Sequence, residues 1–185
     1  LTANVFWTLR FPRTIMTILS GVGLGVSGYI YQQLFKNPLA SPDIIGVAGG
    51  ANLGAAIGIV ALSASSMISI ATGAFLGGIL AVFCVLTLAK AVGSNNTGVF
   101  VLAGIIINAT TRSIIMALKY FSDPENELAA MEYWEMGSFS NITSSKLFSI
   151  LPFFILALGI LILMRRQVDL LSLNDKEAKA MGVRI

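Results

Sequence analysis

Five long apolar runs limit what this chain can become. They are Thr14 to Phe35, Ile44 to Leu62, Met67 to Ala89, Val99 to Leu118 and Leu147 to Met164. Each approaches or exceeds the about 20 helical residues that cross the roughly 30 Å hydrocarbon core of a bilayer at about 1.5 Å per residue. In lipid a backbone must satisfy its own hydrogen bonds, which leaves helices and closed barrels. The runs are continuously apolar and do not alternate, so they read as helices. Composition agrees, with 56% of the 185 residues hydrophobic and 11% charged, against about a quarter charged in ordinary soluble domains. Mean hydropathy is +0.84. The predicted fold class is all-α, a polytopic transmembrane helical bundle with five spans, and an odd number puts the two ends on opposite sides.

Lysine and arginine in the flanks assign the sides. Lys36, Lys90, Arg165, Arg166, Lys176, Lys179 and Arg184 collect on one side; Arg10, Arg13, Lys119 and Lys146 lie on the other. The first side is predicted to be cytoplasmic. The segment 119–146 then faces outward, and its Asp123, Glu125, Glu127, Glu132 and Glu135 suit a solvated external surface, with "MEYWEMGSF" as a partly apolar interfacial helix. The sequence starts at Leu1 without the basic flank and short apolar core of a signal peptide, and runs out in "AMGVRI". It reads as a piece of a longer protein.

Between the first two runs, "KNPLASPDIIG" (36–46) holds two of the five prolines, a lysine and an aspartate. Proline breaks a helix and pushes the residue before it toward extended backbone, so this is a stiff cytoplasmic turn. Gly23, Gly25 and Gly28 spell G-x-G-x-x-G inside an apolar helix with no preceding strand, which excludes the dinucleotide reading. Small residues four apart (Gly21 with Gly25; Gly50 with Gly54 and Gly58; Gly73 with Gly77) predict close helix contacts instead. With no histidine there is no His-based triad or His metal site, and Cys84, alone in mid-span, is a packing residue. No phosphate-binding G-x-x-x-x-G-K-[ST] occurs, so any ATP is used by another chain.

In the fourth run Gly104, Asn108, Thr111, Arg112 and Lys119 share one helical side. A mid-span arginine is costly unless it faces protein or water, so the stripe is expected to point into the bundle, either as interhelical hydrogen bonding or as pathway lining by Asn108, Thr111 and Arg112. Lys119 reads as snorkelling to the interface. The polar tail "DLLSLNDKEAKAMGVRI" offers Asn174 as an N-cap, Glu177 three residues on and Gly182 as a stop, hence a short cytoplasmic helix.

"LRFPRTIMTILSGVGLGVSGYIYQQLFKNPLASPDIIGVAGGANLGAAIG" resembles the permease subunit of the ABC importers for iron-siderophores, haem and vitamin B12, the FecCD-type family. The pattern R-x-P-R-T, a glycine-rich span ending S-G-x-x-x-Q-x-L-F, then x-N-P-L-A-x-P and G-x-x-x-G-A, is long and specific. "LAGIIINA", "YWEMGSFS" and "LSLNDKEAKAMGV" continue it in the family's order. The resemblance implies a ten-span subunit of which this piece holds the second to the sixth, followed by a cytoplasmic coupling segment. It implies a cytoplasmic gate at Asn37 and Leu39 with Asn96, Thr97 and Gly98, and ATPase contacts from Leu173, Asn174, Asp175, Glu177, Ala178, Ala180, Met181 and Gly182. It also implies that Arg10 and Arg13 pair with glutamates of a binding protein, with interfacial anchoring as the less favoured alternative.

The expected function is therefore that of a membrane-spanning permease subunit, not an enzyme, in the cytoplasmic (inner) membrane of a bacterium. It would take an iron-siderophore, haem or cobalamin-type chelate from an extracytoplasmic binding protein and pass it inward. Expected partners are a second permease subunit (the same chain or a close paralogue), two ATPase subunits that use the ATP, the binding protein, the chelate and the bilayer, with no nucleic acid, no directly bound cofactor and no resident metal. Half of a secondary transporter with midplane broken helices is the alternative. A membrane enzyme built on the acidic outer loop is the weaker one, since its five acids lack metal-ligand spacing.

Overall fold

The structure, a computed structural model, describes residues 2–38, 40–61, 67–93 and 97–171. Among these every regular element is helical: α1 (Thr2–Val5), a π-helical turn (Phe6–Arg10), α2 (Phe11–Phe35), a 3-10 turn (Pro42–Ile45), α3 (Val47–Ala61), α4 (Met67–Ala91), α5 (Thr97–Phe121), a second π turn (Pro124–Leu128), α6 (Ala129–Met136) and α7 (Ser144–Leu171). Four helical segments are long and apolar enough to cross a membrane: Phe6–Phe35, Ser69–Ala91, Thr97–Phe121 and Ser144–Leu170. The chain is an all-α multi-pass membrane protein. The second expected span differs in form. Val47–Ala61 has 15 residues, about 22 Å of helix. Pro42, Asp43 and Gly46 wind the residues before it into a 3-10 turn that ends at Gly46, whose φ of 82° favours glycine.

Polar side chains inside the spans turn back on their own helices. The hydroxyls of Thr14, Thr17, Thr110, Ser113 and Ser149 each donate to the carbonyl four residues earlier, at 2.8 to 3.1 Å. None of these five hydroxyls then has to sit bare in lipid.

The chain divides into two compact units, residues 1–40 with 139–185, and 41–138. In the first, α2 lies beside α7, and a Cβ added at Gly23 would meet the Phe154 ring at 3.5 Å. At one end of the pair Ser144 donates to the Trp7 carbonyl at 2.9 Å. Further along, the Tyr29 hydroxyl donates to Asp169 Oδ1 at 2.9 Å. Gly21 and Gly25, expected to form a close contact, have nothing within 4 Å of a built Cβ among the described residues.

The second unit is built on glycine. A Cβ on Gly54 would stand 2.0 Å from the Gly73 carbonyl oxygen, one on Gly77 2.3 Å from that of Gly50, and one on Gly50 2.4 Å from the Ala81 Cβ. The two small-residue faces read from the sequence meet each other here, and α3 and α4 touch backbone to backbone. On its other side α3 packs against α5 and α6. Ala56, Ile59, Ile115 and Met131 form the buried core there, Ile59 at 1% and Met131 at 2% exposure.

Candidate functional site

The polar stripe of α5 folds onto the turn that starts α3. Gly104 lets the helices close, for a Cβ there would sit 1.9 Å from the Ile44 carbonyl oxygen. One turn on, Asn108 donates from Nδ2 to the Asp43 carbonyl at 2.8 Å, tying α5 to the 3-10 turn. Thr111 is buried and donates to the Asn108 carbonyl at 3.0 Å. Gly49 faces both: a Cβ on it would come within 2.5 Å of Asn108 Oδ1 and 2.6 Å of Thr111 Oγ1. Asn108 is thus committed to tying α5 to the turn before α3, while the Thr111 hydroxyl bonds within α5 and packs on Gly49.

Arg112 is not committed in this way. Its side chain is exposed and has no ion pair or hydrogen bond among the described residues. It lines a cleft of about 570 Å³ together with Asp43, Gly49, Asn52, Lys119 and Glu135. A lone charge within a span costs about 2.5–3.5 kcal/mol or more in lipid, and a polar cleft removes most of that cost by keeping the guanidinium wet.

Lys119 does not simply snorkel. Its Nζ donates to Glu132 Oε1 at 2.8 Å and to Glu135 Oε2 at 2.6 Å. The π turn Pro124–Leu128 reverses the chain after α5, and α6 presents these two carboxylates, three residues apart on one helical face, to the end of α5. Of the five acids expected on a solvated surface, Glu135 therefore lines the cleft and Glu132 holds the same lysine. Asn52 is a further residue outside the sequence-derived set. It lines the cleft and has no hydrogen-bond partner among the described residues. As the one amide in a helix otherwise of glycine, alanine and aliphatics, it was a legible signal.

The other expected site residues fall as follows. Arg10 is exposed, whereas Arg13 is half-buried, donates from its guanidinium to the Ser140 carbonyl, and keeps a buried Nε without a partner. Only Arg10 of the pair is fully presented to solvent. Asn37 is exposed in the turn after α2, where its amide donates to the Gln32 carbonyl at 3.2 Å and its carbonyl accepts from Ala40 at 3.1 Å. Lys36, at φ 48°, makes the left-handed cap that turns the chain there. Thr97 and Gly98 open α5. Leu39, Asn96 and the coupling residues 173–182 lie outside the described residues. Cys84 is a half-buried free thiol in α4.

The chain matches the FecCD transport family over residues 1–185. It is similar to the molybdate import system permease protein MolB of Haemophilus influenzae (32% identical over 182 residues, 98% of this chain and 53% of that protein). It is also similar to the hemin transport system permease protein HmuU of Yersinia pestis (35% over 192 residues, 98% and 55%) and to the ferric enterobactin transport system permease protein FepG of Escherichia coli (34% over 180 residues, 95% and 52%). Among solved structures, a metal-chelate type ABC transporter in an inward-facing conformation superposes with a TM-score of 0.86 at 32% identity, covering 97% of this chain and 57% of that one. The chain spans about half the length of the curated relatives it matches.

Proposed function

Because the chain belongs to the FecCD transport family, we propose that it is part of the permease subunit of an ATP-driven importer that carries a metal chelate across the bacterial cytoplasmic membrane. The observation behind this reading is the match across all 185 residues to a transport family whose relatives are permease proteins of import systems. In this reading the subunit makes and breaks no bond of its cargo. Two copies, or one copy and a close paralogue, enclose the pathway, two ATPase subunits supply the work, and an extracytoplasmic binding protein delivers the chelate.

Within that assembly Arg10 faces the binding protein, where a guanidinium fork suits carboxylates and steers docking. Arg13 supports it from inside by holding the segment at Ser140. Asn37 and Leu39, with Asn96, Thr97 and Gly98, form the cytoplasmic gate, and the segment 173–182 docks on the ATPase. The stripe of α5 divides its labour: Asn108 and Thr111 fix the helix, and Arg112 meets what passes through the cleft.

The reading is tested with the full-length subunit, its ATPase and the loaded binding protein in lipid nanodiscs. ATP hydrolysis is expected to rise on adding the binding protein only when the permease subunit is present. Hydrolysis indifferent to the permease contradicts the proposal.

A further inference from the structure

The helices α2 and α7 run in the same direction. Trp7 meets Ser144 at one end, Gly23 lies against Phe154 further along, and Tyr29 meets Asp169 near the other end. From Trp7 to Tyr29 is about 33 Å of helix, close to the thickness of a bilayer core. The pair is thus fastened near both faces of the membrane, and the two fastenings differ in kind. At the outer end Ser144 donates to the Trp7 carbonyl and the Arg13 guanidinium to the Ser140 carbonyl, so both bonds end on backbone. At the inner end the Tyr29 hydroxyl donates to Asp169 Oδ1 at 2.9 Å, side chain to side chain.

Asp169 is the one acid of α7. Arg165 and Arg166 precede it by four and three residues, the spacing at which a helix pairs opposite charges. The carboxylate reaches across to α2 instead, and both arginines are exposed with no ion pair among the described residues. A cation placed before the acid is the weaker order for such a pair, whereas a phenol donating to a carboxylate makes a charge-assisted bond. Crossing to Tyr29 is therefore preferred, yet an alternative partner stands one turn away. Val168, next to Asp169, is buried, so the end of α7 lies against protein. Six residues past Tyr29, α2 ends at Phe35 and the turn containing Asn37 begins.

We propose that Tyr29 and Asp169 form a releasable latch. Closed, it makes the inner ends of α2 and α7 move as one body. Open, with the carboxylate passed to Arg165 or Arg166, it lets the end of α7 shift while the outer fastening holds. Its use rests on the importer reading: there the latch ties the turn at Asn37 to the segment that follows α7, so that a displacement of one carries the other.

Two measurements test this separately. The first is amide exchange in the full-length subunit alone, in lipid nanodiscs. Exchange over 165–171 should quicken about threefold or more in Tyr29→Phe, which loses only the hydroxyl, and in Asp169→Ala, while Asp169→Asn, which keeps an accepting oxygen, should change it less. The combined Tyr29→Phe and Asp169→Ala variant should show clearly less than the product of the two single effects, since both remove one bond. Exchange over 144–150 should stay as in the wild type. Unchanged exchange over 165–171 in Tyr29→Phe, single effects that multiply, or equal quickening at 144–150 overturns the latch; Asp169→Ala decides the matter if Tyr29→Phe does not fold. The second uses the complete complex, where Tyr29→Phe should raise the ATP hydrolysed per chelate taken up about threefold or more with hydrolysis retained. An unchanged ratio overturns the latch's use in coupling. A wild-type complex without ATP-driven uptake counts against the importer reading alone, because the exchange measurement needs neither ATPase nor cargo.

Discussion

Gly77 and Gly78 are neighbours in α4, and the structure assigns them opposite responses to the same added methyl. A Cβ on Gly77 would lie 2.3 Å from the Gly50 carbonyl oxygen and 2.9 Å from the Gly54 Cα; one on Gly78 would meet Val47 and Ala51 side-chain atoms at 3.5 and 3.8 Å, ordinary contact distances. Ordinary contact begins at 3.4 Å, so Gly77→Ala falls short by 3.4 − 2.3 = 1.1 Å. The obstructing atoms are backbone and cannot rotate away, so α3 and α4 must separate. Overpacking costs about 1–3 kcal/mol, and a rigid clash belongs at the upper end, about 3 kcal/mol or roughly a hundredfold in the folding equilibrium. Gly78→Ala fits without movement and gains helix propensity of up to about 1 kcal/mol. The assay is an unfolding titration of the full-length subunit in mixed micelles, read by far-ultraviolet circular dichroism. Gly77→Ala should unfold at markedly lower denaturant, and Gly78→Ala at or above the wild-type midpoint. Equal midpoints for the two variants would refute the backbone contact between α3 and α4.

Replacing Lys119 by Met should free α6 by removing two ion pairs of up to about 1 kcal/mol each, and amide exchange over 129–136 should accelerate several-fold; unchanged exchange would show that the pairs do not hold the helix. Asn108→Leu removes the bond to the Asp43 carbonyl at a cost of about 1–3 kcal/mol, and should raise exchange in the 3-10 turn at 42–45. Arg10→Glu is expected to slow capture of the loaded binding protein and flatten its salt dependence while leaving the subunit's unfolding midpoint in place. Arg13→Glu should lower that midpoint, because it loses the Ser140 contact; equal effects of the two changes on docking and stability would contradict the division of roles. Ala178→Asp with Ala180→Asp should uncouple ATP hydrolysis from uptake with membrane insertion intact.

The membrane class was legible because lipid allows so few solutions: the continuous apolar runs at 67–89, 99–118 and 147–164 each coincide with a long helix, and the first with α2. The run beginning at Ile44 was harder. Its hydropathy extends through the turn, while Pro42 and Gly46 decide where the α-helix starts. Glycine spacing told that α3 and α4 could approach closely, yet Gly21 and Gly25 carry the same spacing and meet nothing among the described residues, since a small face needs a facing partner that spacing alone does not name. The stripe on α5 was visible as periodicity; Asn108 and Thr111 face the start of α3, while Arg112 is exposed. The pairing of Lys119 with Glu132 and Glu135 was not visible, because it depends on the chain reversing at Pro124–Leu128. Tyr29 with Asp169, 140 residues apart, is the same case: contacts between helices follow from packing, which no local pattern encodes.

Uptake by the complete complex in sealed vesicles tests the central claim most directly. With the full-length permease, its ATPase and the binding protein, labelled chelate should accumulate against its gradient only when ATP can be hydrolysed, and should stop with a hydrolysis-defective ATPase while ion gradients persist. Equal accumulation without ATP hydrolysis, driven by a proton or sodium gradient, would contradict the account and make the chain part of a secondary transporter.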